Sequence, residues 1–362
     1  MDLIRTKRAV YRRLGLRHML IKLTDKTADK ETEENRISEG LKPKRAVFTA
    51  ENTISEEYDL KIVLPVYNDA KYVEQCMESV LKQKTEYRYL IHLIDDGSDD
   101  GSLEIIAKYG NLPNVEIVHI EHGGVAVSRN VGLKNLNAKY VMFVDGDDAL
   151  YDENVIQKLL SKAFKEDADI VEGNTLDLDT GTMHSNHIDG KVDRPCGTLW
   201  GGPTSKVIRS SLFRDICFPE GFYFEDIIMA YLIYTGCSKV YTIRDKVYRY
   251  RNNPKGSSKL RTGDMVQKSA AAVLLDTISE MQVRGIPIDS VVYAQLIKSM
   301  ITGCVRLMYA EDNIRRDAVI RFGRLLENLG MDGTQDEYDA IFEKAIRKRQ
   351  YRKITKLCYF YD

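Results

Sequence analysis

The chain has 362 residues, 43% of them hydrophobic, and its 54 acidic and 53 basic side chains leave a formal net charge of −1. Hydrophobic content at that level excludes wholesale disorder, and the balanced charge gives no global footing for nucleic acid, so any polyanion-binding face must be local. The length accommodates one large core or two modest ones, since domains commonly hold roughly 100–200 residues. Cys76, Cys196, Cys217, Cys237, Cys304 and Cys358 are scattered without C-x-x-C spacing, which fits free thiols in a reducing compartment better than a disulfide framework or a zinc site. A cytoplasmic protein is expected. No apolar run approaches the roughly 20 residues that span a bilayer. No uninterrupted apolar core follows Arg5, Lys7 and Arg8, so neither a transmembrane helix nor a signal peptide is expected.

In chain order, Met1 to about Leu23 reads as a helix, with Leu3, Val10, Leu14 and Ile21 on one face and Arg5, Arg8, Arg12, Arg13, Arg17 and Lys22 around it. Thr24 to about Asp59 is polar and weakly periodic, the composition of a linker or extended arm. The short β-rich runs LKIVLPV, YLIHLID, VEIVHIE and KYVMFVD follow, separated by helix-like segments that begin near Ala70, Ser102, Val125 and Glu153. Strands apolar on both faces and separated by helices predict an α/β fold with a mostly parallel central sheet covered on both sides. From Asp264 the chain reads as helices broken near Gly285, Asn313 and Gly333. Three regions result: an N-terminal helix and arm over 1–59, an α/β domain over 60–260 and an α-helical C-terminal extension over 261–362.

Open α/β sheets bind ligands beyond the carboxyl ends of their strands, and all four predicted strands end in polar chemistry there. The ends are Pro65-Val66-Tyr67-Asn68, Asp95-Asp96-Gly97-Ser98, Glu121-His122-Gly123-Gly124 and the acidic turn Asp145-Gly146-Asp147-Asp148. A strand that delivers several carboxylates to one rim suits a hard cation such as Mg²⁺ or Mn²⁺, which takes oxygen ligands and substrate phosphates; an ordinary acidic turn has the same composition. A dinucleotide fold would place G-x-G-x-x-G after the first strand, where this chain has YNDAKY, and no phosphate-cradling G-x-x-x-x-G-K-[ST] loop occurs.

The series IVLPVYN, IDDGSDDGS, HGGVAVSRNVGL, VDGDD and FPEGFYFEDI resembles the family-2 glycosyltransferases of the GT-A fold, typically bacterial enzymes of surface-polysaccharide assembly. The motifs stand in the family's order between Lys61 and Arg251, a little over half the chain. The resemblance implies a nucleotide-base pocket lined by Pro65, Tyr67 and Asn68 with Asp95 and Asp96. Tyr67 would pack on uracil and Asp95 would accept from its imide N–H. Taken alone, these residues also suit turns and helix caps. Arg129 matches an arginine on the base and ribose side of the nucleotide, or else makes a surface salt bridge. Asp145 would contact the ribose and metal-bound water, and Asp147 would ligate a metal that offsets charge on the departing UDP. Asp148 would orient these neighbours. Many relatives have Asn where His122 stands, and no role is assigned to it.

The resemblance also implies a general base in the pair Glu225-Asp226, with Asp226 as the base and Glu225 nearer the donor; plain helix-start acids are the competing reading. Trp200, Gly201 and Gly202 with Ser205 and Lys206 resemble the segment lining the sugar and acceptor cleft, although a lone Trp also suits a core. Arg251, in RYRNNPKGSS, resembles a phosphate ligand on a closing loop. The implied protein is an inverting, metal-dependent enzyme that moves sugar from a UDP-sugar to a saccharide or lipid-linked saccharide. A sugar-1-phosphate nucleotidyltransferase lacks its Gly-rich basic loop here, and a silent scaffold would not need both the metal and the base motifs. The N-terminal helix and the C-terminal IRKRQYRKITKLCYFY have the composition of segments lying on an anionic membrane surface, peripheral to the inner face of the plasma membrane. Solvated faces or packing against protein fit equally.

Overall fold

A computed structural model describes residues 45–254, 256, 264–334 and 336–359. The expected N-terminal helix and the arm as far as residue 44 lie outside the described residues. Residue 45 onward is not a linker. Phe48 is buried, Asn52 Nδ2 donates to Phe213 O over 2.6 Å, and strand β1 spans Thr53–Val66. The first half of that strand leaves its polar side chains in solvent, which is why the sequence there lacks an apolar signature.

One compact unit takes in residues 46–221 and continues from Glu225 through the last strand; the other takes in Phe222–Phe224 and the helices from Asp264 onward. In the first unit β1 is followed by β2 (Tyr89–Asp95), β3 (Val115–His119) and β4 (Asn135–Phe143), with helices α1 (Val73–Leu81), α2 (Ser102–Ala107) and α3 (Val125–Lys134) between them. These four strands are parallel, with Ile62 opposite Ile91 and Met142, and Ile91 opposite Val115. Helix α1 turns Val73, Cys76, Met77 and Val80 onto the sheet, and α4 (Val155–Glu166) does the same with Val155, Ile156, Leu159, Leu160 and Ala163. That spacing is one face of a 3.6-residue helix.

The sheet does not stop at β4. Strands β5 (Ala149–Leu150), β6 (Ile170–Asp177), β7 (Gly190–Lys191), β8 (Lys206–Arg209) and β9 (Val240–Tyr250) extend it in the order β3-β2-β1-β4-β8-β6-β9-β5, with β7 paired to β9. Strand β8 is antiparallel to both β4 and β6, while β6 and β9 are parallel. The expected parallel sheet is thus one half of a mixed one.

In the second unit, α5 (Asp264–Val283), α6 (Ser290–Arg306), α7 (Asp312–Leu329) and α8 (Glu337–Arg347) fall where the sequence places helices, whereas α9 (Tyr351–Cys358) follows a further break, with Arg349 at a left-handed φ of 50°, that the sequence does not announce. The basic C-terminal segment is packed: Tyr351, Lys353, Ile354, Leu357 and Cys358 are buried, while Arg352 and Lys356 face solvent. Among its described residues Tyr351, Ile354 and Leu357 thus pack in the core of this unit, while Tyr359 is exposed. Ser290–Tyr309 is long and apolar enough to cross a bilayer by length and composition alone, and 50% of its most apolar window is buried inside the protein.

Helix α3 sits close on β1 because position 132 is glycine. A Cβ there would lie 2.4 Å from Val63 Cγ1 and 2.8 Å from Val63 Cγ2, well inside van der Waals contact, with Val63 fully buried in the sheet. Gly132→Ala should therefore lower stability by about 1–3 kcal/mol through overpacking, read as an earlier urea midpoint; an unchanged midpoint would mean that α3 can lift off β1 freely.

Candidate active site

The ends of β1, β2 and β3 interlock. Pro65 is buried near the end of β1. Asn68, at a left-handed φ of 54°, accepts from Asp99 N over 2.9 Å while its own N–H donates to Ser98 Oγ over 3.1 Å. Asp96 accepts from Gly123 N at 2.8 Å and Gly124 N at 2.9 Å, and its Oδ2 meets His122 Nδ1 at 2.9 Å. It thereby shapes the H-G-G loop from within. The exposed ring of Tyr67 stacks on the His122 imidazole at 3.9 Å between centroids, a contact that no motif announces.

Asp95 is fully buried. Its Oδ2 meets His119 Nδ1 at 2.6 Å, and its Oδ1 has no hydrogen-bond partner among the described residues. A buried acceptor in that state is rare enough to require a reason, and a ligand N–H is one.

The acidic turn closes directly beneath this loop. Gly146 permits the approach, since a Cβ there would lie 2.7 Å from Asp69 Oδ2 and 3.1 Å from Pro65 O. Asp69 thus joins Asp145, Asp147 and Asp148. Burial and the neighbouring Asp147 push the Asp69 carboxyl up to about 7. Burial and Asp145 likewise raise Asp147, and raise Asp148 well above the carboxylate range.

Strand β9 and the residues that follow it secure the turn. Tyr248 OH accepts from Asp145 N at 3.1 Å, and Asn253 Nδ2 donates to Asp147 Oδ2 at 3.0 Å. Arg251 donates from its backbone N to Asp148 Oδ1 at 2.7 Å, from Nε to Asp147 O at 2.7 Å and from Nη2 to Gln75 at 2.6 Å. The structure places this arginine as a brace for the acidic turn, its guanidinium engaged by protein oxygens.

Arg129 is buried and bridges two carboxylates, with Nη2 at 2.9 Å from Asp145 Oδ1 and Nη1 at 2.7 Å from Glu225 Oε1. It also lies over the Phe218 ring at 5.4 Å. A surface salt bridge is excluded. The next residue, Asn130, accepts from Phe218 N at 2.8 Å and donates to Phe218 O and Glu220 Oε1, both at 2.9 Å, so α3 grips the F-P-E-G segment that leads to Glu225. Burial pushes the Glu225 carboxyl up to about 7 against the opposing pull of Arg129.

Helix begins directly after Glu225-Asp226 and is π-helical over Met229–Ile233, a feature frequent at functional sites. Near Asp226 runs the Trp200–Gly202 turn: a Cβ at Gly202 would come 3.9 Å from Asp226 Oδ2 and 3.2 Å from Trp200 Nε1. Trp200 is 37% exposed, so it is not core.

The donor set fits a divalent cation. Four carboxylates crowd one turn and burial with mutual repulsion raises three of them, while oxygen ligands are those that Mg²⁺ and Mn²⁺ prefer. Among the described residues no three such side chains are already arranged around a single ion position.

Asp69, His119, Asn130, Tyr248 and Glu172 escape a reading of the sequence. Asp69 carries the clearest signal, since it directly follows the P-x-Y-N loop. The others are single polar residues within strands or helices and become legible only through their partners.

The model of glycosyl transferase family 2 matches residues 61–218. Glycosyltransferase GlyG of Streptococcus pneumoniae serotype 4 is 33% identical over 227 residues, which cover 56% of this chain and 73% of that protein. Poly(ribitol-phosphate) beta-N-acetylglucosaminyltransferase TarS of Staphylococcus aureus is 29% identical over 216 residues, 54% of this chain and 36% of TarS. A crystal structure of residues 1–349 of TarS in complex with UDP-GlcNAc has a similar fold, with a TM-score of 0.63 at 17% identity over 83% of this chain and 90% of that one. The chain belongs to glycosyl transferase family 2, and it is a glycosyltransferase of the GT-A-like fold.

The crowding of Asp69 has a sign that can be tested. Its folded pKa of about 7 lies above the ordinary 3.8, so the native state binds this proton more tightly than the unfolded chain. The group's unfavourable contribution is absent at low pH, grows as pH rises through that window and is complete above it. In metal-free buffer Asp69→Asn should raise the urea midpoint at pH 8, with the gain shrinking toward pH 5. A gain that is equal at both pH values would show that Asp69 does not hold the proton.

Proposed function

We propose that the enzyme transfers a sugar from a UDP-sugar to the hydroxyl of a saccharide or lipid-linked saccharide, with inversion and with a divalent cation, in the synthesis of a cell-surface polymer. One observation carries this reading: Arg129 joins Asp145 and Glu225, so the acidic turn and the E-D pair belong to one site. Residues 60–260 would form the catalytic domain. The names of the relatives, glycosyltransferases that include an enzyme acting on poly(ribitol-phosphate), support the polymer class.

The uracil would lie against Tyr67, its imide N–H meeting the unpartnered Asp95 Oδ1. Asp95 would be held for this by His119, and Asp96 would keep the H-G-G loop in place. Asp145 and Asp147 would hold the cation, which when bound offsets charge on the leaving diphosphate. Arg129 would fix Asp145 in orientation rather than reach the nucleotide itself. As the acceptor oxygen bonds to the anomeric carbon from the face opposite UDP, its proton would pass to Asp226, and the electrons of the breaking C–O bond would leave on the β-phosphate. Glu225, tied to Arg129, would position this segment.

Asp226→Asn should bind UDP with Mn²⁺ nearly as the parent does, yet lose roughly 10²–10⁴-fold in turnover, the range for a positioned general base. UDP release assays with candidate donors and acceptors check this, and transfer at the parent rate would assign Asp226 to the helix start alone.

Asp147→Asn keeps shape but removes charge. It should abolish the Mn²⁺-dependent part of UDP binding in calorimetry while leaving thermal unfolding cooperative. Equal Mn²⁺-dependent affinity in the variant would place the cation elsewhere.

A further inference from the structure

Lys206, the first residue of β8, is fully buried, as is Glu172 on β6. The two make an ion pair of 2.6 Å between Nζ and Oε2. Their remaining contacts converge on one short turn. Lys206 Nζ donates to Trp200 O at 2.9 Å, Gly202 O at 2.7 Å and Tyr234 OH at 2.6 Å. Tyr234 OH donates in turn to Trp200 O. Glu172 Oε1 accepts from Trp200 N at 2.8 Å and from His187 Nε2 at 2.7 Å. The backbone polar groups of Trp200 and the carbonyl of Gly202 are thus gripped by side chains rather than by a strand ladder, and Tyr234 ties the grip to the helical segment that starts after Asp226.

A buried ion pair is poor evidence of stability, because hydrophobic residues of similar volume serve as well or better. A role in holding geometry accounts for it here. Lys206 supplies three donors from one point, which a methionine of similar size cannot. We propose that Lys206 is a positioning residue of the transfer reaction, holding the Trp200–Gly202 turn, through its carbonyls, in register with Asp226, so that the turn forms the sugar-facing wall beside the base. The inference rests on the reading of Asp226 as base. Gly202 suits that wall because its missing Cβ leaves room between the Trp200 indole and the Asp226 carboxylate.

Trp200 is the single tryptophan of the chain, so its emission reports on this turn alone. Two variants separate function from folding. Lys206→Met leaves Glu172 unpaired, while Lys206→Met combined with Glu172→Gln removes both charges and keeps an acceptor for Trp200 N. In both, Trp200 emission should shift to longer wavelength and iodide quenching should rise. Turnover, followed as UDP release from the donor that the parent uses or from UDP-GlcNAc, should fall about 10–100-fold, the scale of an ångström-sized misplacement. UDP affinity with Mn²⁺ should stay within about twofold, because the base pocket lies on other strands. Parent-like emission and quenching in the double variant would overturn the proposal, as would a loss of UDP affinity that matches the loss of turnover. The parent and Asp226→Asn are run alongside. Full turnover in Asp226→Asn would remove the base assignment, whereas the emission of the Lys206 variants tests the turn independently.

Discussion

A guanidinium buried between two carboxylates sets the geometry of this rim. Arg129 leaves α3 to meet Asp145 from the turn after β4 and Glu225 from the segment after F-P-E-G, with the faces of Phe143 and Phe218 beside it. Removal of one member of such a buried group strands the others and typically costs 3–5 kcal/mol. The arrangement therefore behaves as a unit. Its cation also explains how Glu225 can be buried and yet titrate near neutrality, because burial and the adjacent Asp226 push one way while Arg129 pushes the other.

Around that link the two halves of the sheet divide the labour. The parallel strands β1, β2 and β3 end in loops that interlock through Asn68, Asp95 and Asp96, a rigid pocket built largely from neighbouring parts of the chain. The mixed half contributes braces: Tyr248, Arg251 and Asn253 to the acidic turn, Lys206 and Glu172 to the Trp200 turn. Crowding at Asp147 and Asp148 is tolerated because Arg251 and Asn253 satisfy their oxygens or hold their backbone, while Asp69 accepts from Tyr67 N in the loop after β1.

The parallel half was legible because its strands are apolar on both faces and alternate with amphipathic helices, so Leu60–Val66 or Tyr89–Asp95 could hardly be anything else. The mixed half was not. Strands β5, β7 and β8 span two to four residues, too short for a period to register, and β6 carries Glu172, Asn174 and Thr175 inside, polar residues that burial makes sense of only once Lys206 and His187 face them. The motif residues were brought together as their order implied, from Asp95 to Glu225. Their partners were not readable, since a histidine such as His119 or a tyrosine such as Tyr248 has no spacing that announces what it will touch. The polar arm before Asp59 misled for the opposite reason: an exposed strand face looks like linker until its neighbour is known.

The reach of the braces bears on how the protein is made. Tyr248 and Arg251 meet Asp145 and Asp148 across 103 residues of chain, and Arg129 waits 96 residues for Glu225. Contacts so distant in sequence form late, because loop closure must precede them. On the ribosome, the nascent polypeptide can pair β1 through β4 long before β9 emerges. Until then the acidic turn stands without its supports, four carboxylates close together in a half-built sheet. A chain stopped short of Arg251 would keep the Asn68, Asp96 and Arg129 contacts of the rim but lack the braces that Arg251 and Asn253 give the acidic turn.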